Sequence, residues 1–139
     1  MSSFARAVAF LLGLAIAACA FLPWTPGSTG VGVPLGSLIT PGTSADGITW
    51  AVSIGLPIVV AGGVVVLGSV LNARALVIIG GLVAVAVPTA WILVNAISGG
   101  ATAVPVSQIR IGAYGAAIAG FMTLILAAVA VDTRVPSVR

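Results

Sequence analysis

The chain has no histidine, no lysine and no glutamate, and it has a single cysteine. Only 5% of its 139 residues are charged, and its two acids are Asp46 and Asp132. Haem and copper sites normally use histidine, and a thiol–disulfide relay needs two cysteines. The composition therefore argues against these chemistries, and it predicts a protein that is not an enzyme and has no metal or other cofactor.

Hydrophobic residues make up 60% of the chain and the mean hydropathy is +1.32, which excludes a water-soluble globule. The sequence pI is near 10.6, but the basic residues are five scattered arginines that form no basic patch. We therefore expect no nucleic-acid partner, and we interpret the arginines as a signal of membrane topology.

Two apolar runs dominate the chain, over residues 48–71 and 76–97, with a four-residue link between them. Each is long enough to cross a hydrocarbon layer of about 30 Å. Two further apolar runs flank this hairpin. We predict an all-α membrane fold: a single four-helix transmembrane domain with helices at about 6–23, 48–71, 76–97 and 110–131, and outer loops at 24–47 and 98–109.

The arginines predict the orientation. With both termini cytoplasmic, Arg6, Arg74, Arg134 and Arg139 lie inside and only Arg110 lies outside. Cytoplasmic segments of membrane proteins carry an excess of lysine and arginine. The expected location is therefore the inner (plasma) membrane, crossed several times.

The first apolar run also has features of a secretory signal, because Arg6 precedes it and small residues lead up to Cys19. The residues before Cys19 even fit the pattern that precedes a lipid-modified cysteine. However, the chain stays apolar after Cys19 instead of becoming polar. We expect a retained helix with Cys19 as a small core residue, and lipidation of Cys19 is the alternative.

Small residues predict where helices touch. Close approach of two backbones is the main source of helix pairing in lipid. In the hairpin, two glycine pairs and two prolines mirror each other about the link: Gly62, Gly63, Gly80, Gly81, Pro57 and Pro88. The prolines predict kinks at similar depth, either static or used as hinges. Gly112, Ala116 and Gly120 form a further row in the last helix, for packing within the chain or against a partner.

Several residues are expected at the outer membrane surface. Asp46 is a candidate N-cap for the second helix. Trp24 and Trp50 are expected at the interface, with Trp91 slightly deeper, as an aromatic belt rather than a quinone site. Arg110 has three possible contacts: a lipid phosphate, Asp46, or an acid of a partner protein.

No acid lies in the middle of a predicted span, whereas proton-coupled transporters normally place a titratable group there. This argues against the small multidrug transporters. The polar residues in or near the spans can all be satisfied by backbone carbonyls or neighbouring helices, so we interpret them as structural. They are Ser53, Ser69, Thr89, Asn95, Tyr114 and Thr123.

Some sequence features resemble a large group of small four-helix membrane proteins of actinobacteria. They are Arg6 before the first run, Leu22-Pro23-Trp24 at its end, the turn Leu71-Asn72-Ala73-Arg74 and the segment Arg110-Ile111-Gly112-Ala113-Tyr114-Gly115. Some proteins of this kind are accessory subunits of the respiratory cytochrome bcc–aa3 oxidase supercomplex. The resemblance implies such a role, with cytochrome oxidase or cytochrome bcc subunits as partners.

We therefore expect a non-catalytic accessory subunit that contacts other integral membrane subunits and phospholipids. The alternative is a small homo-oligomeric transporter or channel, with Pro57 and Pro88 as gates and Asn95 or Thr89 along its path. A factor anchored through Cys19 is a third hypothesis.

Overall fold

The computed structural model describes residues 1–39, 49–98 and 104–130. Four α-helices account for most of these residues: α1 Ser3–Cys19, α2 Gly55–Val70, α3 Arg74–Ser98 and α4 Ile111–Val129. Each helix packs against the next one in the chain, and α4 returns to pack against α1. The expected all-α fold with four helices is confirmed.

Two of the four helices, α3 and α4, are long and apolar enough to cross a membrane, with mean hydropathies of 2.4 and 1.9. Helices α1 and α2 are also apolar, but they have only 17 and 16 residues. Both are shorter than expected at the end away from the α2–α3 link. We call that end of the bundle the loop end and the opposite one the link end.

The first helix was expected to continue to residue 23, but it ends at Cys19. Pro23 disfavours helical conformation in the residue before it and begins a short strand, β1 Pro23–Thr25. This strand pairs with β2 Ser28–Thr29. Pro26 and Gly27 connect the strands, and φ of Gly27 is +95°, which suits the third position of a type II turn.

The second helix was expected to start at residue 48, but it starts at Gly55. Pro57 therefore lies in the first turn, where backbone N–H groups have no partner within the helix and proline costs little. The expected kink at Pro57 is wrong for this reason. The N-cap position of α2 is Ile54, so the expected capping role of Asp46 is also wrong. Asp46 itself lies outside the described residues.

The third helix does contain its proline, since Pro88 is buried inside α3. A proline at this position has no N–H to offer the carbonyl of Ala84, one turn earlier. The two prolines are therefore placed symmetrically in the sequence, but they occupy different positions in their helices.

The link between α2 and α3 is a Schellman turn. Ala73 N–H donates to the Gly68 carbonyl at 2.8 Å, and Asn72 N–H donates to the Ser69 carbonyl at 3.4 Å. Asn72 adopts the left-handed conformation with φ of 55°, which asparagine tolerates better than most residues. The turn satisfies carbonyls at the end of α2 and reverses the chain within three residues.

The helices touch through glycine. A Cβ added at Gly62 of α2 would lie 2.5 Å from the Gly13 carbonyl oxygen of α1. At Gly80 of α3 it would lie 2.7 Å from the Ala61 carbonyl oxygen of α2, and at Gly120 of α4 it would lie 2.9 Å from the Ala84 Cβ of α3. One glycine thus permits close backbone approach at each of three successive helix pairs.

The two glycines of each predicted pair have different surroundings. Gly80 faces α2, whereas Gly81 faces Leu124 and the Gly120 carbonyl of α4. Gly62 faces α1, whereas Gly63 is exposed and an added Cβ there would have no atom within 4 Å. The pairs therefore do not meet each other across the hairpin.

This difference predicts opposite effects for neighbouring substitutions. Gly62→Ala is expected to cost about 1–3 kcal/mol, because the methyl group overlaps the α1 backbone. Gly63→Ala is the matched control and is expected to be neutral or to stabilise by up to about 1 kcal/mol through helix propensity. Unfolding in mixed micelles by increasing SDS, followed by circular dichroism, measures both. Equal midpoints for the two variants would contradict the close α1–α2 contact.

Candidate functional site

Trp24 organises the loop end of the bundle. Its side chain has 0% exposure, and its indole Nε1–H donates to the Cys19 carbonyl at 2.8 Å. Its ring meets Trp91 of α3 edge to face, with 5.5 Å between centroids and an interplanar angle of 61°. The expected contact of Trp24 with lipid or a partner is therefore wrong, because its ring is buried within the chain. Trp24 and Trp91 are core residues.

Two glycines make room for the Trp24 indole. A Cβ added at Gly112 of α4 would lie 2.5 Å from Trp24 Cδ1, and one added at Gly30 would lie 2.8 Å from Trp24 Nε1. In addition, Arg110 N–H donates to the Trp24 carbonyl at 2.9 Å. Trp24 thus connects the end of α1 with α3, with the start of α4 and with the following loop.

The row of small residues in α4 packs within the chain. Gly112 lies against Trp24, Ala116 is fully buried, and Gly120 lies against Ala84 of α3. These three residues were expected to pack within the chain or against a partner or lipid. The structure shows the first alternative, because all three are buried inside the protein.

Arg110 and Trp50 remain on the surface. Trp50 is 65% exposed at the loop end, and the Arg110 side chain is exposed just before α4. Both positions suit contact with lipid or with a partner protein. Pairing of Arg110 with Asp46 is a prediction that falls outside the described residues.

The buried polar side chains form hydrogen bonds with backbone groups. Asn95 donates to the Trp91 carbonyl at 2.9 Å and accepts from Val104 N–H at 3.0 Å, so it holds the second loop against α3. Thr123 donates to the carbonyl one turn earlier in α4. Ser53 and Ser69 also donate to nearby carbonyls. All four side chains are satisfied by backbone groups, as expected, whereas Thr89 and Tyr114 are exposed.

At the link end, Arg6 of α1 caps the C-terminus of α2. Its Nε–H donates to the Ser69 carbonyl at 2.9 Å, and its Nη2 donates to the Val70 carbonyl at 3.0 Å. The last carbonyls of a helix lack partners within the helix and carry partial negative charge. Arg6 also lines a shallow cleft of about 240 Å³ together with Phe10 and Ser3. Sequence reasoning assigned Arg6 only to topology and missed this role.

Cys19 is buried at the end of α1, with Gly115 of α4 close to its sulfur. The expected small core residue is confirmed. Lipidation at Cys19 would require a long acyl chain at a position that the bundle encloses. Within the described residues, no group of three or more histidine, cysteine or acidic side chains is placed to hold a metal ion.

Comparisons with known protein families, with curated proteins and with solved structures find no match to this chain.

The position of Trp24 predicts a large loss of stability when its ring is removed. Trp24→Ala is expected to cost about 3–5 kcal/mol, because it leaves a cavity between Gly30, Gly112 and Trp91. The control is Trp50→Ala, which removes an exposed ring and is expected to leave the unfolding midpoint in mixed micelles nearly unchanged. Similar losses for both variants would show that Trp24 does not occupy the core.

The capping role of Arg6 predicts a difference between two arginines at the link end. Arg6→Met keeps most of the aliphatic stem but removes the guanidinium hydrogen bonds to the Ser69 and Val70 carbonyls, so we expect a loss of about 1–3 kcal/mol. Arg74→Met removes a cation from the first turn of α3, where the helix dipole disfavours positive charge, and is expected to be neutral or slightly stabilising. The same unfolding assay tests both, and an equal effect would argue against the cap.

Proposed function

We propose that this protein is a multi-pass protein of the plasma membrane that serves as a non-catalytic accessory subunit of a larger membrane complex. All four helices would cross the bilayer, with the link end and both termini on the cytoplasmic side. The lengths of α3 and α4 support the membrane location.

Large apolar side chains are exposed on every helix. Examples are Phe10 and Leu14 on α1, Leu67 on α2, Leu82 on α3 and Phe121 on α4. Soluble monomers rarely expose contiguous apolar patches of more than a few hundred Å². An exterior of this kind is favourable in contact with acyl chains.

The orientation rests on the arginines. Arg6 and Arg74 both belong to the link end, whereas Arg110 belongs to the loop end. The excess at the link end supports a cytoplasmic position for it. Arg134 and Arg139, which strengthen the bias in the sequence, lie outside the described residues.

The observation that carries the accessory role is a small-residue face on the outside of α3. Ala86, Thr89 and Ala90 are adjacent on one helical face and all exposed, so the chain does not use them for its own packing. Larger side chains surround this face, since α3 also exposes Leu82 and Leu93 and the outside of α4 exposes Ile118 and Phe121. Small residues and hydroxyl groups are the features through which membrane helices associate. We propose that a helix of a partner subunit packs on this face.

The buried polar residues support a role without catalysis. Asn95 and Thr123 are buried, and their hydrogen bonds go to backbone groups of the chain itself. We propose the cytochrome bcc–aa3 supercomplex as the partner assembly because the resemblance of the sequence implies it. Arg110 and Trp50 would then contact partner subunits or phospholipid at the loop end.

Purification from native membranes in mild detergent tests the proposal. The tagged protein is expected to co-purify with larger integral membrane subunits, and haem absorption in the visible spectrum would identify respiratory partners. Ala86→Leu combined with Ala90→Leu is expected to reduce co-purification at least tenfold, since two bulky side chains would block close helix approach. Ala128→Leu, on the exposed face of α4, is the matched control and is expected to have no effect.

A lone monomer without co-migrating subunits would contradict the accessory role. A homo-oligomer that moves solute in liposomes would favour the transporter or channel hypothesis instead. In that case Thr89 would line a path between copies, and the substitutions in α3 would abolish the flux.

A further inference from the structure

At the loop end, α1 and α2 end well before α3. At about 1.5 Å per residue, α1 and α2 are roughly 25 Å and 24 Å long, and α3 is roughly 37 Å long. The three are aligned at the link end, because Arg6 contacts the last turn of α2 and only residues 71–73 separate α2 from α3. A hydrocarbon core of about 30 Å therefore extends past the ends of α1 and α2 but not past α3.

Residues 20–39 and 49–54, which we call the cap, occupy the space beyond these two short helices. Val31 N–H donates to the Ala20 carbonyl at 3.1 Å, and Ile54 N–H donates to the Val33 carbonyl at 2.8 Å. Residues Leu35–Leu38 form a 3₁₀ turn that packs on the longer helix α3. The cap is thus seated on the ends of α1 and α2 and against the side of α3.

Residues 20–39 and 49–54 contain no charged residue, and several of their large apolar side chains are exposed. Ile39 is 84% exposed, and the other large exposed side chains of the cap are similar in character: Phe21, Leu22, Leu35, Trp50 and Val52. Facing water, these side chains would form an apolar patch next to the apolar exterior of the helices. The hydrophobic effect disfavours that arrangement by about 25 cal/mol for each Å² of apolar surface.

Irregular backbone can lie at membrane depth only when its polar groups have partners within the protein. In the cap, Val33, Ser37 and Ile39 donate their backbone N–H groups to carbonyls three residues earlier. The hydroxyls of Ser37 and Ser53 also donate to carbonyls three residues earlier. Within the described ranges, no buried side-chain nitrogen or oxygen lacks a hydrogen-bond partner.

We infer that the cap is embedded in the membrane and that its exposed side chains contact lipid acyl chains at the outer edge of the hydrocarbon layer. The cap would thus fill the part of the bilayer that α1 and α2 are too short to cross. The inference rests on the proposed membrane location. It goes further by assigning to the bilayer a loop that the sequence places outside it.

Spin-label accessibility in liposomes tests the depth of the cap. Nitroxides are attached to Leu35→Cys and Val52→Cys, each in a Cys19→Ser background, and the purified protein is reconstituted in phosphatidylcholine and phosphatidylglycerol vesicles. Collision rates with oxygen, which concentrates in lipid, are compared with those for a water-soluble nickel chelate. Leu82→Cys on the outside of α3 is the lipid reference, and Ser107→Cys in the second loop is the aqueous reference.

The cap labels are expected to show an oxygen-to-nickel ratio close to that of Leu82→Cys and well above that of Ser107→Cys. Cap labels that match Ser107→Cys while Leu82→Cys stays in lipid would overturn the inference and leave the membrane location intact. Such a result would mean that the cap faces water in the isolated protein, as a surface covered only by a partner would. If Leu82→Cys also collides freely with the nickel chelate, the proposed membrane location fails together with the inference.

Discussion

At Gly62 the backbone of α2 approaches α1 so closely that a single added carbon would lie 2.5 Å from the Gly13 carbonyl oxygen. Gly80 and Gly120 allow the same closeness between α2 and α3 and between α3 and α4. In the proposed membrane location, apolar helices would gain little from burying large apolar side chains against each other, so close backbone packing would supply most of the attraction. Glycine and alanine make up much of the interior, and most of the large side chains are on the outside.

Contacts between small residues bury little side-chain surface. Larger side chains fix the helices relative to one another at the two ends of the bundle. At the loop end, Trp24 fills the space between Gly30 and Gly112 and meets Trp91. At the link end, Arg6 supplies donors to the last carbonyls of α2. One large aromatic residue and one cation thus hold opposite ends of α1 against its neighbours. Both contacts join segments that are distant in sequence, which is why they constrain the arrangement of the helices.

The outside of the bundle divides into surfaces of different character. The outer face of α4 carries large apolar side chains, whereas α3 exposes the small residues Ala86, Thr89 and Ala90 between Leu82 and Leu93. Lipid chains adapt to either surface, but a partner helix approaches closely only where side chains are small. The proposed accessory role follows from the small side chains exposed on α3. The proposed membrane depth of the cap follows instead from the shortness of α1 and α2 and from the exposed apolar side chains of the cap.

The number of helices and the reversal at residues 71–74 were predictable from the sequence, because long apolar runs and a short polar link are local properties of the chain. The same local patterns failed at the loop end. Hydropathy does not distinguish a helix from an apolar loop, so the predicted α1 and α2 were extended through residues that form the cap. For the same reason Pro57 was predicted in the middle of a helix, whereas it lies in the first turn of α2. The surroundings of Trp24 depended on Gly30, Trp91 and Gly112 together, which no local pattern connects. Composition by itself therefore determined an apolar, helical protein with few reactive side chains. Only the packing of distant segments decided which small residues face inward, because a helix has several small-residue faces and the neighbours available to each depend on the whole fold.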